Sequence, residues 1–360
     1  MIQEGHLQVF DLILETRSPV FIGSGKQYTK KEYLFDPKSN MVSFLDEKKF
    51  FTCLVEHGLA DAYEEFVLKE RDSNLLNFLQ NTCRLSRGQI DSLVRCRVFA
   101  GDALDQKHTL KEIHRFVRDG NDQVYVPGSS IKGALRTVLL KAFLLQSPSH
   151  RPSPGFPADA VAALETECFH TLSVKRDRNQ NVDTRNPLNS VLQGVRISDS
   201  LPVPNRQLCL AGKIDEFVDG TWNQINICRE CIRPGTRIVC TMTLDQSILK
   251  GQITRESIMK AISDVSRFHQ ETVLSHYSHA ANVMTPGTIL LGGGVGFQSK
   301  TVLAPYYQDS LAKTSTALQR VFPRHHHEED ALDGISPRAL KQTAVDGTDY
   351  PYGACEVILR

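Results

Sequence analysis

A chain of 360 residues that is 41% hydrophobic can bury a substantial core, enough for one large or two modest domains. Its 42 basic and 41 acidic side chains leave a formal charge of +1, which argues against a free-standing electrostatic nucleic-acid binder but leaves room for a local basic stripe. Nine scattered cysteines form no disulfide pattern, and Glu4 and Asp11 fall where a secretory signal would be apolar, so a cytoplasmic protein with reduced thiols is expected.

Residues 7–16 alternate with both faces partly apolar, the pattern of a central strand covered on both sides. Gly23-Ser24-Gly25 then opens a basic loop holding Lys26, Lys30 and Lys31, followed by short strands at 33–35 and 41–44. Asp46 is placed to cap a helix ending at His57, with Gly58 as its stop. Residues 59–93 read as helical, an insertion spanning about 46–95. Thr109-Leu110-Lys111-Glu112 reads either as a capping box opening a helix or as part of a strand leading to the turn at Asp119-Gly120-Asn121 and a strand at 124–126.

Pro127-Gly128 stops that strand, and Ser129 or Ser130 can cap a helix. Lys132 and Arg136 share one face of it, with Ile131, Leu135, Val138 and Leu139 opposite. Unpaired N–H groups, hydroxyls and cations at a helix start suit a phosphate, although an ordinary capped core helix has the same local sequence. The longest apolar run, 138–145, is interrupted by Lys141 and falls short of the ~20 residues that cross a bilayer. A Pro- and Ser-rich connector occupies 147–155. A polar stretch at 175–181, with Lys175, Arg176 and Arg178, reads as a mobile basic loop.

Strands are expected at 195–197, 209–217, 224–229 and 237–244, then a long helix at 256–281 whose stripe includes His269, His276 and His279. His269 stands about 10.5 Å along the axis from His276, too far for one metal ion, so a polar end to an amphipathic stripe is the plainer reading. Cys228-Arg229-Glu230-Cys231 has no second CxxC, and no zinc site, metal or other cofactor is expected. Gly292, Gly293, Gly294 and Gly296 precede Lys300. Ser299 stands where a phosphate loop needs glycine, so the segment is either a tight turn or a loop whose bare backbone approaches a phosphate beside Lys300. His325-His326-His327-Glu328-Glu329-Asp330 holds groups for general acid–base work, but adjacent residues cannot all converge on one reacting atom. A terminal strand closes the chain. Strands interrupted by helices, hairpins and insertions suggest an α+β architecture.

The string Pro127-Gly128-Ser129-Ser130-Ile131-Lys132-Gly133-Ala134-Leu135-Arg136 closely resembles the signature of the repeat-associated RNA-binding (RAMP) superfamily of CRISPR effector subunits. Three further blocks match in order: Ser18-Pro19-Val20-Phe21-Ile22-Gly23-Ser24-Gly25 with Glu32-Tyr33, the stretch from Lys111 to Asp119, and Ile335-Ser336-Pro337-Arg338-Ala339-Leu340-Lys341 with the last strand. Together they are similar to the fifth-subunit family of type III-A (Csm) interference complexes.

The resemblance implies RRM-like (ferredoxin-like) cores with helical insertions and a glycine-rich loop, divided into an N-terminal domain at 1–245 and a C-terminal one at 246–360. It favours the hairpin reading at 111–126. It also implies a non-catalytic subunit that caps the crRNA 3′ end, assists crRNA maturation in antiviral defence, contacts the third (backbone) and second Csm subunits, and leaves trimming to recruited cellular 3′ exoribonucleases. The RNA-binding residues it points to are Gly128, Ser129, Ser130, Lys132, Arg136, Lys26, the four loop glycines, Lys300, Lys175, Arg176 and Arg178. Tyr28 and Phe297 are candidates for base stacking, with Phe297 suited also to the core. The rival reading is a RAMP-type endoribonuclease acting on precursor crRNA. The loop after the first strand offers no acid before Glu32, so the target-cleaving aspartate of the related backbone subunit is not carried over. A purely structural cap is the third reading.

Overall fold

The computed structural model describes residues 2–69, 74–104, 110, 112–147, 157–278, 282–307 and 310–360. Most of the 147–155 connector, Thr109, Lys111 and His279 lie outside these residues. The strands are β1 (Ile2–Glu4), β2 (Leu7–Thr16), β3 (Gly23–Tyr28), β4 (Tyr33–Asp36), β5 (Met41–Leu45), β6 (Val94–Phe99), β7 (Ile113–Phe116), β8 (Val195–Ile197), β9 (Leu208–Phe217), β10 (Trp222–Ile232), β11 (Arg237–Asp245), β12 (Thr288–Leu290), β13 (Ala339–Val345), β14 (Thr348–Pro351) and β15 (Ala354–Leu359). The helices used below are α1 (Glu47–Glu56), α2 (Ala60–Lys69), α3 (Arg87–Ser92), α4 (Gly128–Gln146), α5 (Pro157–Phe169), α6 (Arg255–Thr272) and α7 (Leu311–Val321).

The near-continuous apolar character of β2 places it at the centre of the first sheet, with Phe10, Leu12 and Leu14 buried. It pairs antiparallel with β11 on one side and β15 on the other; the order is β12-β15-β2-β11-β8, with β1 paired to β2. Helices α4 and α6 pack on each other and reach β8 and β12 of this sheet. The second sheet runs β14-β13-β9-β10-β7-β3 and is antiparallel except where β10 meets β7. A third, β4-β5-β6, carries the insertion. There Asp46 accepts the Lys49 N–H at 3.0 Å to start α1, Gly58 takes φ +64 after its end, and Phe50, Leu54, Phe66, Phe78 and Leu79 close a separate apolar cluster.

Several local expectations change. Gly23 to Tyr28 is an edge strand with a bulge rather than a loop, because its backbone pairs with β7. At 113–116 the strand prevails over the helix, and Arg118 bridges Val124 across the turn. The 175–181 stretch is a built turn: Arg176 bridges Val182, the Asp177 carboxylate accepts the Asn179 and Asn181 N–H groups, and buried Asn189 bonds Lys175 through both amide atoms. Helix α6 stops at Thr272, where the chain tightens into a single turn at Leu274–His276. Strands from both sides of residue 245 share both large sheets, as β11 and β15 flank β2 and β13 pairs with β9. Cys209, Cys228, Cys231, Cys240 and Cys355 are free and buried in these sheets, where burial pushes the Cys228 thiol up to about 12. Among the described residues no group of three or more His, Cys, Asp or Glu could hold a metal ion, and no helix is long and apolar enough to cross a membrane.

Candidate nucleic-acid interface

Helix α4 begins where Pro127 ends an extended segment that zips onto residues 200–203: Ser200 N–H donates to the Val126 carbonyl at 2.9 Å and Val203 N–H to the Val124 carbonyl at 2.7 Å. The approach is so close that a Cβ on Gly128 would lie 2.2 Å from the Ile197 carbonyl oxygen, which is why glycine stands there. It also corrects the expected cap. Neither serine provides it; the Gly128 N–H donates to the Asp199 carboxylate at 2.8 Å. An internal anion thus occupies the first donor of the helix mouth. Ser129 and Gly133 remain exposed beside it.

The two signature cations do not act as a pair. At 100° per residue, Ser130, Gly133, Ala134, Thr137 and Lys141 form one stripe of α4, with Lys132 on the far side and Arg136 on the flank. Lys132 is half-buried, and burial together with the nearby Arg196 guanidinium holds its amine below the ordinary lysine range. Arg136 pairs with Glu165 of α5.

The stripe faces the glycine-rich loop, and together they enclose a cleft of about 270 Å³. Gly292 at φ +89 leaves no room for a Cβ, which would meet the Phe21 carbonyl oxygen at 2.2 Å, and Gly294 at φ +86 lies against the Tyr352 ring. Gly293 N–H donates to that same Phe21 carbonyl at 2.6 Å. Gly296, at φ +83, opens the short helix Phe297–Lys300. Close packing therefore accounts for Gly292, against the Phe21 backbone, and Gly294, against the Tyr352 ring, while a Cβ on Gly296 would meet only Lys341 Cγ at 3.9 Å and Lys300 is exposed at the cleft edge.

The floor of the cleft was not anticipated as a site. Lys141, 5% exposed, donates from Nζ to the Gln298 carbonyl at 2.7 Å and the Ser299 carbonyl at 3.1 Å, tying α4 to the end of the short helix. Burial brings its amine down to about 7. His269 of α6, also buried, is pushed down to about 3 by burial and then by Lys141, so it is neutral at physiological pH. The one local signal for Lys141 was its interruption of an apolar run.

The other residues singled out from the sequence lie apart from this cleft. Lys26 is exposed on β3, in the segment that continues from Phe21. Lys175, Arg176 and Arg178 are exposed on their turn, Arg176 donating to the Gln180 carbonyl at 2.7 Å. Tyr28 is buried with its ring centroid 4.7 Å from that of Phe44 in a tilted pair, so it packs in the core rather than on a base. Phe297 is partly buried and lines an apolar groove between α4, α5 and α7. In the histidine run, His327 is buried with Nδ1 2.8 Å from Asp330, whose carboxylate also accepts the Ser336 hydroxyl at 2.6 Å.

An antiparallel sheet carrying two helices, a glycine-tight helix start and a facing glycine loop place this molecule among α+β proteins with a cleft bordered by bare backbone and cations. The sequence profile of the RAMP superfamily matches residues 13–276, and the chain belongs to that superfamily. It is similar to the CRISPR system Cms protein Csm5 of Mycobacterium tuberculosis, at 28% identity over 99% of this chain and 98% of the relative. It is also similar to Csm5 of Enterococcus italicus, at 27% identity over 97% and 96%. Among solved structures, a chain of a Csm-crRNA-target RNA ternary complex superposes with a TM-score of 0.60 at 16% identity, covering 97% of this chain and all of that one. Csm5 of T. onnurineus superposes at 0.59 and 17% identity, covering 96% and 99%. The fold is thus that of Csm5 structures.

Proposed function

We propose that the chain is the fifth-subunit-type RAMP protein of a type III-A CRISPR (Csm) interference complex, acting without catalysis by binding RNA at the crRNA 3′ end and assisting its maturation. The observation that carries this reading is the end-to-end match to relatives named Csm5, which leaves no large part of either chain unaccounted for. In this reading β2, α4, β8, β11, α6 and β15 form an RRM-like (ferredoxin-like) core, consistent with their β-α-β-β-α-β order and the sheet neighbours β15-β2-β11-β8.

RNA contacts come from the exposed side of the α4 start at Ser129 and Gly133, from Gly296 and Lys300, and from Lys132 with Arg196, while Lys26 and the turn carrying Lys175, Arg176 and Arg178 extend the basic path. Such contacts hold a sugar-phosphate backbone without reading sequence, as a spacer-independent machine requires. The third and second Csm subunits are the neighbours, and 3′ trimming belongs to recruited exoribonucleases. Crosslinking within the assembled complex tests this: RNA adducts on 128–136 and 296–300 are expected, and adducts confined to other subunits would leave only a protein cap.

The endoribonuclease reading gains little support. His327 is held by Asp330 within a buried network whose hydroxyls are themselves engaged, Ser336 donating to the Asp330 carboxylate and Ser315 to the His327 carbonyl. Incubating purified chain with labelled repeat RNA should give no cleavage.

A further inference from the structure

Away from the cleft, the face of the second sheet formed by β9, β10 and β13 holds a separate pocket of about 290 Å³. Strand alternation places Ile214, Glu216, Trp222 and Gln342 on this face, with Trp222 directly opposite Glu216 and Gln342 opposite Ile214. Asp102 and Asp349 complete its rim, and no basic side chain among the described residues lines it. The nearby cations Lys213 and Lys341 occupy the alternate positions and pair with Asp215.

Two details say what is missing. Glu216 and Gln342 are each 2% exposed, and the Gln342 side-chain N–H₂ donates to the Glu216 carboxylate. That bond fixes the amide orientation, since the reverse would set oxygen against oxygen. The Gln342 Oε1 is therefore buried with no hydrogen-bond partner among the described residues, on a side chain that lines the pocket. Trp222, by contrast, is 57% exposed, an unusual position for an indole unless its face is used.

Two rim carboxylates, a third behind them engaged by Gln342, a buried amide oxygen without a partner among the described residues and an open indole face match one chemistry. We propose that this pocket receives an arginine side chain carried by a partner polypeptide. The guanidinium stacks on Trp222, its fork of N–H groups reaches Gln342 Oε1, and the carboxylates supply the charge. Lysine has no planar fork to use the bare acceptor while stacking, and the carboxylates repel nucleic acid. This inference does not rest on the RNA reading of the cleft.

Trp222 is the only tryptophan in the chain, so its fluorescence reports on the pocket directly. Titrating the full chain with acetyl-Gly-Arg-Gly-amide should give a saturable change in emission, at least about fivefold tighter than with the citrulline peptide, which keeps the shape and loses the charge. Asp349→Asn, at an exposed position that leaves the fold intact, should weaken the arginine response, and Gln342→Leu should weaken it further. An equal response to both peptides, no response to either, an Asp349→Asn response like that of the parent, or saturable quenching by single-stranded RNA instead would each overturn the proposal.

Discussion

Gly128 shows how little freedom a single position in this site has. With the Ile197 and Ser198 carbonyl oxygens 2.2 and 2.7 Å from where a Cβ would be, Gly128→Ala must push the α4 start away from its neighbour. The expected cost is about 1–3 kcal/mol, measured as a lower urea midpoint with unchanged slope. Lys141 gives a second residue-scale expectation. Its amine is lowered from 10.5 to about 7, so between those values the unfolded chain holds more protons than the folded one. Stability therefore rises with pH across that window and stays level, for this group, below about 7. Lys141→Met should flatten the difference between urea midpoints at pH 7 and pH 9; a slope equal to that of the parent would count against an uncompensated buried amine. His269, lowered from 6.5 to about 3, adds a loss of stability as pH falls through that lower range.

Helix α4 is the element on which the proposed RNA contact turns, and its mouth already holds the Asp199 carboxylate. If phosphate approaches there, Asp199→Asn keeps the hydrogen bond to Gly128, removes the competing charge and tightens RNA binding several-fold at low salt. RNA affinity unchanged by this substitution would place the phosphate elsewhere. Lys132→Ala with Lys300→Ala should reduce the slope of log affinity against log salt by about 0.7 for each phosphate no longer neutralised, as expected for a single strand. The start of this helix was legible because Pro127, Gly128 and the apolar spacing are local signals. Its real cap was not, since Asp199 arrives from a loop 71 residues away. The same limit explains Lys141, whose partners are backbone carbonyls at 298 and 299 that no side-chain pattern announces. For Lys132 and Arg136, spacing identified a shared face but not that one is screened by its surroundings and the other paired with Glu165.

Across the whole molecule, both large sheets are completed by the last part of the chain. Leu12 of β2 pairs with Leu359, and Ile214 of β9 with Gln342. A chain ending at residue 245 would lose β15 from beside β2 and β13 from beside β9, so we expect it to lack the near-ultraviolet circular dichroism of a packed core. Alternating strands and capped helices made the mixed α+β class readable. The sheet partners were not, because pairings between distant segments leave no periodic trace in either one. Those same sheets seal five thiols, at Cys209, Cys228, Cys231, Cys240 and Cys355, while Cys53, Cys83, Cys96 and Cys168 are only half-covered. Alkylating reagents attack the thiolate, which burial suppresses. The modification rate at the sealed five thus counts excursions of the sheets toward the open state, and comparing it with the other four gives a built-in clock for how firmly the fold holds this chain shut.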